Sequence, residues 1–494
     1  MKIIDLKFKF CSNCASGLLL AVLCLFSASL PAQPATPVLQ AGAALSNITP
    51  FLGGGIVGNF GIPPEAKYIH DELYAKCLVL DDGQEQIAIV IVDNVSINRE
   101  VFDYARKLIR ESTGMKAENV LMAATHTHSS VSASSVGDER MNYNYDTPLD
   151  EYQTFVARRI CDGVRRAIYQ KEPAKIGWSS ADVPEHVFNR RWLMKEGTDV
   201  PNPFGGQDKA RMNPGVGNPD LLKPAGKTDP EVYFVSVQAL DGRPIALLAN
   251  YSLHYVGGVP RDHISSDYFG AFAEQFSRLI DAGSKAPGFV AIMSNGTSGD
   301  VNNINVKGPA ERMQSYQKMQ IVARDVAKAI YDNYNKISYK TDVKLSAAYS
   351  NLNLKVRKPT PQMLARAKEV VANPDGIKLY HSLEPTYAKR AIQMQERWPG
   401  NVDIVMQTLR IGDLGIAAIP FETFAETGLE IKAKSPFKST FTIELANGNY
   451  GYLPTPEQHE LGGYETWLGT NRVEKEASRK IVTRQLEQLE RLRK

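Results

Sequence analysis

The chain has 494 residues, of which 43% are hydrophobic and 22% charged, and its formal net charge is +3. This composition is ordinary for a globular protein, and the length suits one large domain or two to three smaller ones. The small net charge gives no reason to expect a nucleic-acid partner or a strongly anionic surface as a partner.

The first 33 residues have the pattern of a secretory signal peptide. A basic start is followed by an apolar run from Leu18 to Leu25 and then by small residues. This run is too short to cross a bilayer comfortably, and no other apolar stretch is long enough. We therefore expect a signal peptide over 1–33, a linker over 34–40, and a secreted or periplasmic protein with no transmembrane segment.

Most of the cysteines lie in the proposed signal peptide. Only Cys77 and Cys161 remain beyond it. The mature chain is therefore not a disulfide-rich scaffold, and the sequence leaves open whether these two residues pair.

The first half of the chain predicts a hairpin, a helix and a further strand in succession. Two alternating segments, 76–80 and 86–93, flank an Asp-Asp-Gly turn, which is typical of a β-hairpin. Residues 99–112 have helical spacing and are followed by Gly114, which is typical of a helix end. An apolar run over 119–124 predicts a short buried strand. The last three elements indicate a parallel strand–helix–strand crossover.

The remaining chain continues to alternate between strand and helix patterns, with one long irregular connection of the kind that is usually functional or disordered. The predicted elements are a helix over 149–169, the irregular connection over 185–230, hairpin strands over 232–240 and 244–253, a strand over 289–293, a long helix over 309–336, a strand and one or two helices within 340–400, two strands within 402–419, a strand over 440–445 and an amphipathic helix from Val473 onward.

Two histidines follow the strand predicted over 119–124. In an extended segment alternate residues point the same way, so we expect the imidazoles of His126 and His128 to lie side by side. Such a pair suits a divalent metal such as zinc, or one ligand and one proton carrier. A pair of hydrogen-bonded surface histidines is the alternative that this motif leaves open.

His254 and Glu422 also stand where an apolar strand gives way to a loop. Taken singly, each has an ordinary explanation, as a histidine near the core or as a carboxylate at the start of a helix. Two histidines and one glutamate together make a chemically sensible zinc set with a position open for water or substrate.

Four motifs occur in a fixed order: Ala-Thr-His-Thr-His-Ser at 124–129, Leu-His at 253–254, Gly-Asp-Val at 299–301 and Pro-x-Glu at 420–422. In order and spacing they resemble the neutral/alkaline ceramidases, which are exported zinc amidases that cleave the N-acyl bond of ceramide. The resemblance runs from Ala41 to about Tyr464.

The resemblance implies Zn²⁺ as the cofactor and assigns roles to seven residues. Two of them are tyrosines, which ordinary packing would equally explain. The implied zinc ligands are His126, His254, Glu422 and Tyr452. The implied catalytic residues are His128, Arg190 and Tyr464.

The chain departs from the family pattern at two places. Asn302 stands where the family has a serine to which a nucleophilic role has been given, and Ser298, the nearest hydroxyl, is out of register. Because asparagine cannot form an acyl intermediate, we expect direct attack by a zinc-activated water, with the Asn302 amide as a hydrogen-bond donor to the substrate. The family's C-terminal immunoglobulin-like domain is not expected here.

The sequence therefore predicts an α/β fold with a mixed β-sheet core flanked by helices and a metal site built from loops at strand ends. We expect a catalytic domain over 41–470 and a C-terminal helix over 471–494. The predicted activity is zinc-dependent hydrolysis of a linear amide in a small-molecule or lipid substrate, a ceramide-like compound first. Hydrolysis of a different amide or ester, or a non-catalytic zinc-containing binding protein, are the alternatives. The sequence does not indicate the oligomeric state.

Overall fold

The computed structural model of the chain describes residues 38–58, 61–134, 143 and 148–494. Residues Val38–Lys494 form one compact unit. The proposed signal peptide and most of the proposed linker lie outside the described residues. The last linker residue, Gln40, already belongs to a strand and pairs with Asp81.

Among the described residues, eight strands form a mixed sheet with the spatial order β8-β7-β6-β5-β1-β2-β3-β4. The β3–β4 and β7–β8 pairs are parallel, and the other neighbours are antiparallel. The sheet curves so that β8 contacts β2, β3 and β4. The strands are β1 (Gln40–Asn47), β2 (Tyr74–Asp81), β3 (Gln86–Val92), β4 (Val120–Ala124), β5 (Glu172–Asp182), β6 (Glu231–Ala239), β7 (Pro244–Tyr251) and β8 (Val290–Asn295).

A second mixed sheet in the described chain has four strands in the order β9-β10-β11-β12. Its last pair, β11 with β12, is parallel. The strands are β9 (Leu345–Lys355), β10 (Asn401–Ile411), β11 (Leu414–Ala418) and β12 (Ser439–Ile443).

Helices cover the outer faces of both sheets. Helices α1 and α2 pack on β1 to β4, α3 and α4 pack on β6 and β7, and α5 to α8 pack around the second sheet. The helices are α1 (Arg99–Thr113), α2 (Glu151–Tyr169), α3 (Asp267–Leu279), α4 (Gln317–Tyr334), α5 (Pro361–Ala372), α6 (Glu384–Glu396), α7 (Ala425–Lys434) and α8 (Ala477–Arg493).

Strand β3 shows why this arrangement needs nearly continuous apolar strands. Its residues Ile87, Ile89 and Ile91 pack between the two sheets, whereas the alternating residues pack against α1 and α2. Because successive side chains point to opposite faces, a strand covered on both sides must be apolar throughout. The fold thus has four layers: helices, sheet, sheet, helices.

The connection between β5 and β6 contains short strands that surround the segment carrying Arg190. Other two-residue strands lie close to the predicted site. These short strands are Ile56–Val57, Tyr68–Ile69, Ser130–Val131, Phe188–Asn189, Arg191–Met194, Ala210–Met212, Leu221–Pro224, His263–Ile264, Val301–Asn302, Glu422–Thr423 and Tyr452–Leu453.

The predicted α/β architecture, the first hairpin and the parallel crossover are confirmed. Gly114 ends α1 with φ 75°, as its freedom from a side chain allows. The helix predicted over 309–336 is wrong at its start, because α4 begins at Gln317. Tyr316 has φ 67°, which is incompatible with a right-handed helix, and its ring stacks on His70.

The C-terminal helix also begins later than predicted, at Ala477 rather than Val473. Its apolar side packs on β9 and β10, with Ile481 and Leu489 fully buried. In the described residues no helix is both long enough and apolar enough to cross a membrane. Cys77 and Cys161 are both buried and free, and burial raises the pKa of the Cys77 thiol to about 12.

The close approach of α2 to β2 gives a stability prediction. A Cβ on Gly163 would lie 2.6 Å from Cys77 Sγ and 3.1 Å from Ser46 Cβ. We expect Gly163→Ala to cost about 1–3 kcal/mol through overpacking, reduced by the roughly 1 kcal/mol that alanine gains over glycine in a helix. Chemical denaturation measures this cost.

The matched control is the same substitution in a Cys77→Ala background. Removing the sulfur makes room for the new methyl group, so the cost of Gly163→Ala should be smaller there. An equal cost in both backgrounds would contradict the proposed contact.

Candidate metal centre

His126 is held by backbone contacts beyond the end of β4. Thr125 N donates to Val92 O, and His126 N donates to Asn94 O, each at 2.9 Å. His126 has φ 77°, which costs a non-glycine residue about 1–3 kcal/mol and occurs mostly where function requires it. Its Nδ1 lies 2.6 Å from Val95 O.

The two histidines of the motif do lie side by side, but strand alternation is not the reason. Because His126 is left-handed, residues 126–128 are not extended. The rings of His126 and His128 are nearly perpendicular, at 84°, with Nε2 atoms 3.1 Å apart. A sharp turn after the strand therefore creates the pair.

His254 comes from the loop after β7 and is 1% exposed. Its Nε2 lies 2.9 Å from His126 Nε2, and its Nδ1 lies 3.1 Å from the carbonyl oxygen of Ser298. Burial, followed by the neighbouring His126 and Arg190, lowers the pKa of His254 well below its ordinary value. The ring is therefore neutral and suited to bind a metal.

Glu422 and Tyr452 face each other on two short parallel strands. Glu422 Oε2 lies 3.4 Å from His126 Nε2 and 3.8 Å from His254 Nε2. This Oε2 atom is buried and has no hydrogen-bond partner among the described residues. Burial opposes ionisation of Glu422, but His126, a hydrogen bond from Tyr452 and Arg190 together lower its pKa.

The donor atoms of this cluster have the chemistry of a cation site. A carbonyl oxygen only accepts, so the Nδ1 atoms of His126 and His254 carry protons, and the Nε2 atom of a neutral ring is then bare. Two bare nitrogens and a carboxylate oxygen repel one another at these distances unless a cation lies between them. Tetrahedral zinc places its ligand atoms about 3.4 Å apart and prefers histidines fixed from behind in this way, so the residues fit zinc.

His128 gives the cluster a second possible ligand set. The ligand atoms of His126, His128 and His254 all lie within 4.8 Å of one another, so these three could also hold a metal ion. The His128 ring stacks on Tyr255, with centroids 3.7 Å apart. On another side, a Cβ at Gly58 would lie 2.6 Å from its ring, so the imidazole is closely confined.

Arg190 lies behind the cluster and contacts two of the predicted ligands, His254 and Tyr452, as well as Glu465. Its Nη2 donates to Tyr452 Oη at 3.0 Å, its Nε donates to Glu465 at 2.9 Å, and its Nη1 is 3.4 Å from His254 Nε2. Burial raises the pKa of Tyr452 well above its ordinary value, and the Arg190 charge opposes this shift. Arg190 therefore favours the phenolate form that a tyrosine ligand requires.

A cavity of about 130 Å³ opens onto the cluster. Five of the predicted site residues lie in its wall: His126, His128, Glu422, Tyr452 and Tyr464. The Tyr464 ring packs edge-on against Tyr452, with centroids 5.7 Å apart. All seven predicted site residues thus lie in one region, five in the cavity wall and two behind it.

Ser298 and Asn302 both make hydrogen bonds within the protein. The Ser298 hydroxyl lies 3.3 Å from His254 Nδ1, on the side of the ring away from the cluster, and is fully buried. The Asn302 amide donates to Asn213 and accepts from the Ile304 backbone N–H. The expectation that this amide points at the substrate is wrong, because both of its polar atoms hold the local loop.

Three residues with close contacts to the site were absent from the sequence-based set. Tyr255, Glu465 and Glu444 are each within one residue of a predicted position or of a strand end. Their neighbours gave the only signal available, since tyrosines and glutamates are common at such places.

Comparisons with known proteins identify the family and the fold of the chain. The family model described as neutral/alkaline non-lysosomal ceramidase, N-terminal, matches residues 40–322. Among solved structures, the chain is similar to neutral ceramidase from Pseudomonas aeruginosa at 16% identity and a TM-score of 0.67, covering 92% of this chain and 74% of that chain. It is equally similar to a structure described as ceramidase complexed with C2, of which it covers 75%.

The structural likeness, at 16% identity, shows the fold. The family model goes further, because it matches more than half of the chain. The protein belongs to the neutral/alkaline non-lysosomal ceramidase family.

Proposed function

We propose that this protein is an exported, zinc-dependent hydrolase of a linear amide, with an N-acyl sphingoid (ceramide-like) compound as the substrate. The observation that carries the proposal is the convergence of the His126 and His254 Nε2 atoms with a Glu422 oxygen that has no hydrogen-bond partner among the described residues, beside the Tyr452 phenol. Membership of a ceramidase family supports hydrolysis of this class of substrate.

In this proposal His126, His254, Glu422 and Tyr452 hold Zn²⁺. When bound, zinc polarises the amide carbonyl and lowers the pKa of water to about 7. Tyr452 is an uncommon ligand, and its use here is supported by the Arg190 guanidinium, which donates to its oxygen.

His128 is proposed to move the proton between the attacking water and the leaving amine. It lies in the cavity wall, and its Nε2 is 3.1 Å from His126 Nε2, so it is beside the reacting region without being needed to complete four ligands. Tyr255 and Gly58 confine its ring, which fixes the direction of proton transfer.

Tyr464 and Arg190 are proposed to have different parts in catalysis. Tyr464 lines the cavity, so its side chain is placed to contact the substrate or the developing oxyanion. Arg190 is only 6% exposed and is bonded to Tyr452 and Glu465, so it acts on the substrate through Tyr452.

The first prediction concerns metal content. Purified protein should contain about one Zn²⁺ per chain, since the described residues form one cluster of this kind. The protein should release fatty acid from an N-acyl sphingoid only when zinc is bound. His126→Ala, His254→Ala and Glu422→Gln should each lower zinc occupancy, measured by elemental analysis.

Two results would contradict this assignment. Wild-type zinc occupancy in all three variants would remove the proposed site. Full zinc occupancy without hydrolysis of any N-acyl substrate would leave the metal site and support the non-catalytic alternative.

The second prediction separates His128 from the ligands. His128→Ala should retain zinc and lose turnover by about 10²- to 10⁴-fold, as expected for a proton carrier. Gly58→Ala should also retain zinc and lower turnover, because its methyl group would press on the His128 ring.

Gly61→Ala is the matched control for Gly58→Ala. Gly61 also has a positive φ, of 94°, but no atom of the described residues lies within 4 Å of its Cβ position. Its substitution should strain the backbone and leave turnover nearly unchanged. If His128→Ala instead loses zinc as fully as His126→Ala, His128 is a ligand and the three-histidine set is correct.

The third prediction concerns export. When the full chain is expressed in a bacterial host, the mature protein should be recovered outside the cytoplasm with its N-terminus close to residue 34. Intact mass spectrometry measures this. Recovery of uncleaved chain in the cytoplasm, with a functional control signal peptide processed in the same host, would contradict the proposal.

A further inference from the structure

Glu444 is a buried glutamate to which the proposed function assigns no role. It follows β12 directly, is fully buried and does not line the cavity. It accepts three hydrogen bonds. Thr423 N donates to Oε2 at 2.6 Å, Ser298 Oγ donates to Oε1 at 2.6 Å, and Ser298 N lies 3.3 Å from Oε2.

Each of these donors is directly connected to a proposed ligand. Thr423 is bonded to Glu422, so fixing its N–H fixes the backbone that carries the ligand. The carbonyl of Ser298 faces His254 Nδ1 at 3.1 Å, so fixing Ser298 fixes the group that orients that ring. One carboxylate thus holds two ligand supports that are far apart in the sequence.

The backbone around Glu444 extends the same connection to the remaining histidine. Glu444 N donates to Asn295 O at the end of β8. The next residue, Leu445, donates to Phe421 O and accepts from Ala124 N, two residues before His126. Leu445 has φ 50°, a strained conformation that lets these bonds form together.

We infer that Glu444 is a positioning residue that sets the zinc affinity of the site by fixing the backbone behind His254 and Glu422. The inference rests on the proposed zinc function. Partners behind the ligands of metal sites contribute about 10- to 100-fold to metal affinity. Glu444 touches neither metal nor substrate, so it acts through these residues alone.

The simpler alternative is that Glu444 only stabilises the core. A core role predicts lower stability for any disruptive variant but unchanged zinc affinity in the molecules that remain folded. Zinc affinity of folded protein, measured by chelator competition with Zn²⁺ alone, is therefore the readout that separates the two roles. Unfolding of the metal-free protein is followed in parallel.

Three variants and one control test the inference. Glu444→Ala removes all three hydrogen bonds and should weaken zinc binding by about 10- to 100-fold. Glu444→Gln should keep the zinc affinity within about threefold of the unsubstituted protein. The glutamine oxygen can accept from the N–H groups of Thr423 and Ser298, and its NH₂ group can donate to the Ser298 hydroxyl oxygen. Glu444→Asp is one methylene shorter and should give an intermediate loss.

Glu384 supplies the control, since it is also a buried glutamate, 2% exposed, that accepts from Arg366 and the Tyr380 backbone and lines a different cavity from the cluster. Glu384→Ala should lower stability and leave zinc affinity unchanged. A comparable loss of zinc affinity in this control would overturn the inference.

Three further results would also overturn it. The first is wild-type zinc affinity in folded Glu444→Ala. The second is wild-type zinc affinity in Glu444→Asp, if the alanine variant does not fold. The third is a loss of zinc affinity in Glu444→Gln that is as large as the loss in Glu444→Ala. Failure of the proposed zinc site gives a different result, because the unsubstituted protein would then bind no Zn²⁺. Failure of the hydrolase activity alone would leave this zinc affinity test valid.

Discussion

The central constraint on this structure is electrostatic. Two bare imidazole nitrogens and a carboxylate oxygen face one another within 2.9–3.8 Å, and these groups repel one another without a cation between them. Free side chains would turn away. They are retained because His126 and His254 are each bonded through Nδ1 to a carbonyl oxygen and because Glu422 is carried on a paired strand. The surrounding fold thus holds in place an arrangement that a bound cation would make more favourable.

The four-layer architecture explains how residues so distant in sequence meet at this point. The first sheet curves until β8 contacts β4, which brings the loops after β4 and β7 together. The second sheet contributes Glu422 after β11 and Tyr452 after β12. His126 and Leu445, two non-glycine residues in left-handed conformations, lie where the segments from the two sheets meet. Backbone strain at the junction is consistent with a site whose geometry is fixed by the fold before metal binds.

Much of this could be predicted from the sequence, and the remainder has identifiable physical causes. Strand and helix patterns located most elements because β3 and its neighbours are apolar on both faces, and the family resemblance named seven residues that the structure brings into one region. The left-handed turn at His126 could not be predicted, since only distant backbone contacts stabilise it. The partners of Asn302 and Glu444 are likewise set by tertiary packing, which leaves no local pattern. The start of α4 was missed because Tyr316 leaves the helix to stack on another loop.

The most direct measurement is a crystal structure of the purified protein with anomalous data collected on both sides of the zinc absorption edge. The account predicts one zinc peak within about 2.0–2.3 Å of His126 Nε2, His254 Nε2, a Glu422 oxygen and Tyr452 Oη. His128 should lie beside the metal and outside its ligand set. A zinc bound by the three histidines without Glu422 and Tyr452, or no anomalous peak at this cluster in zinc-replete protein, would contradict it.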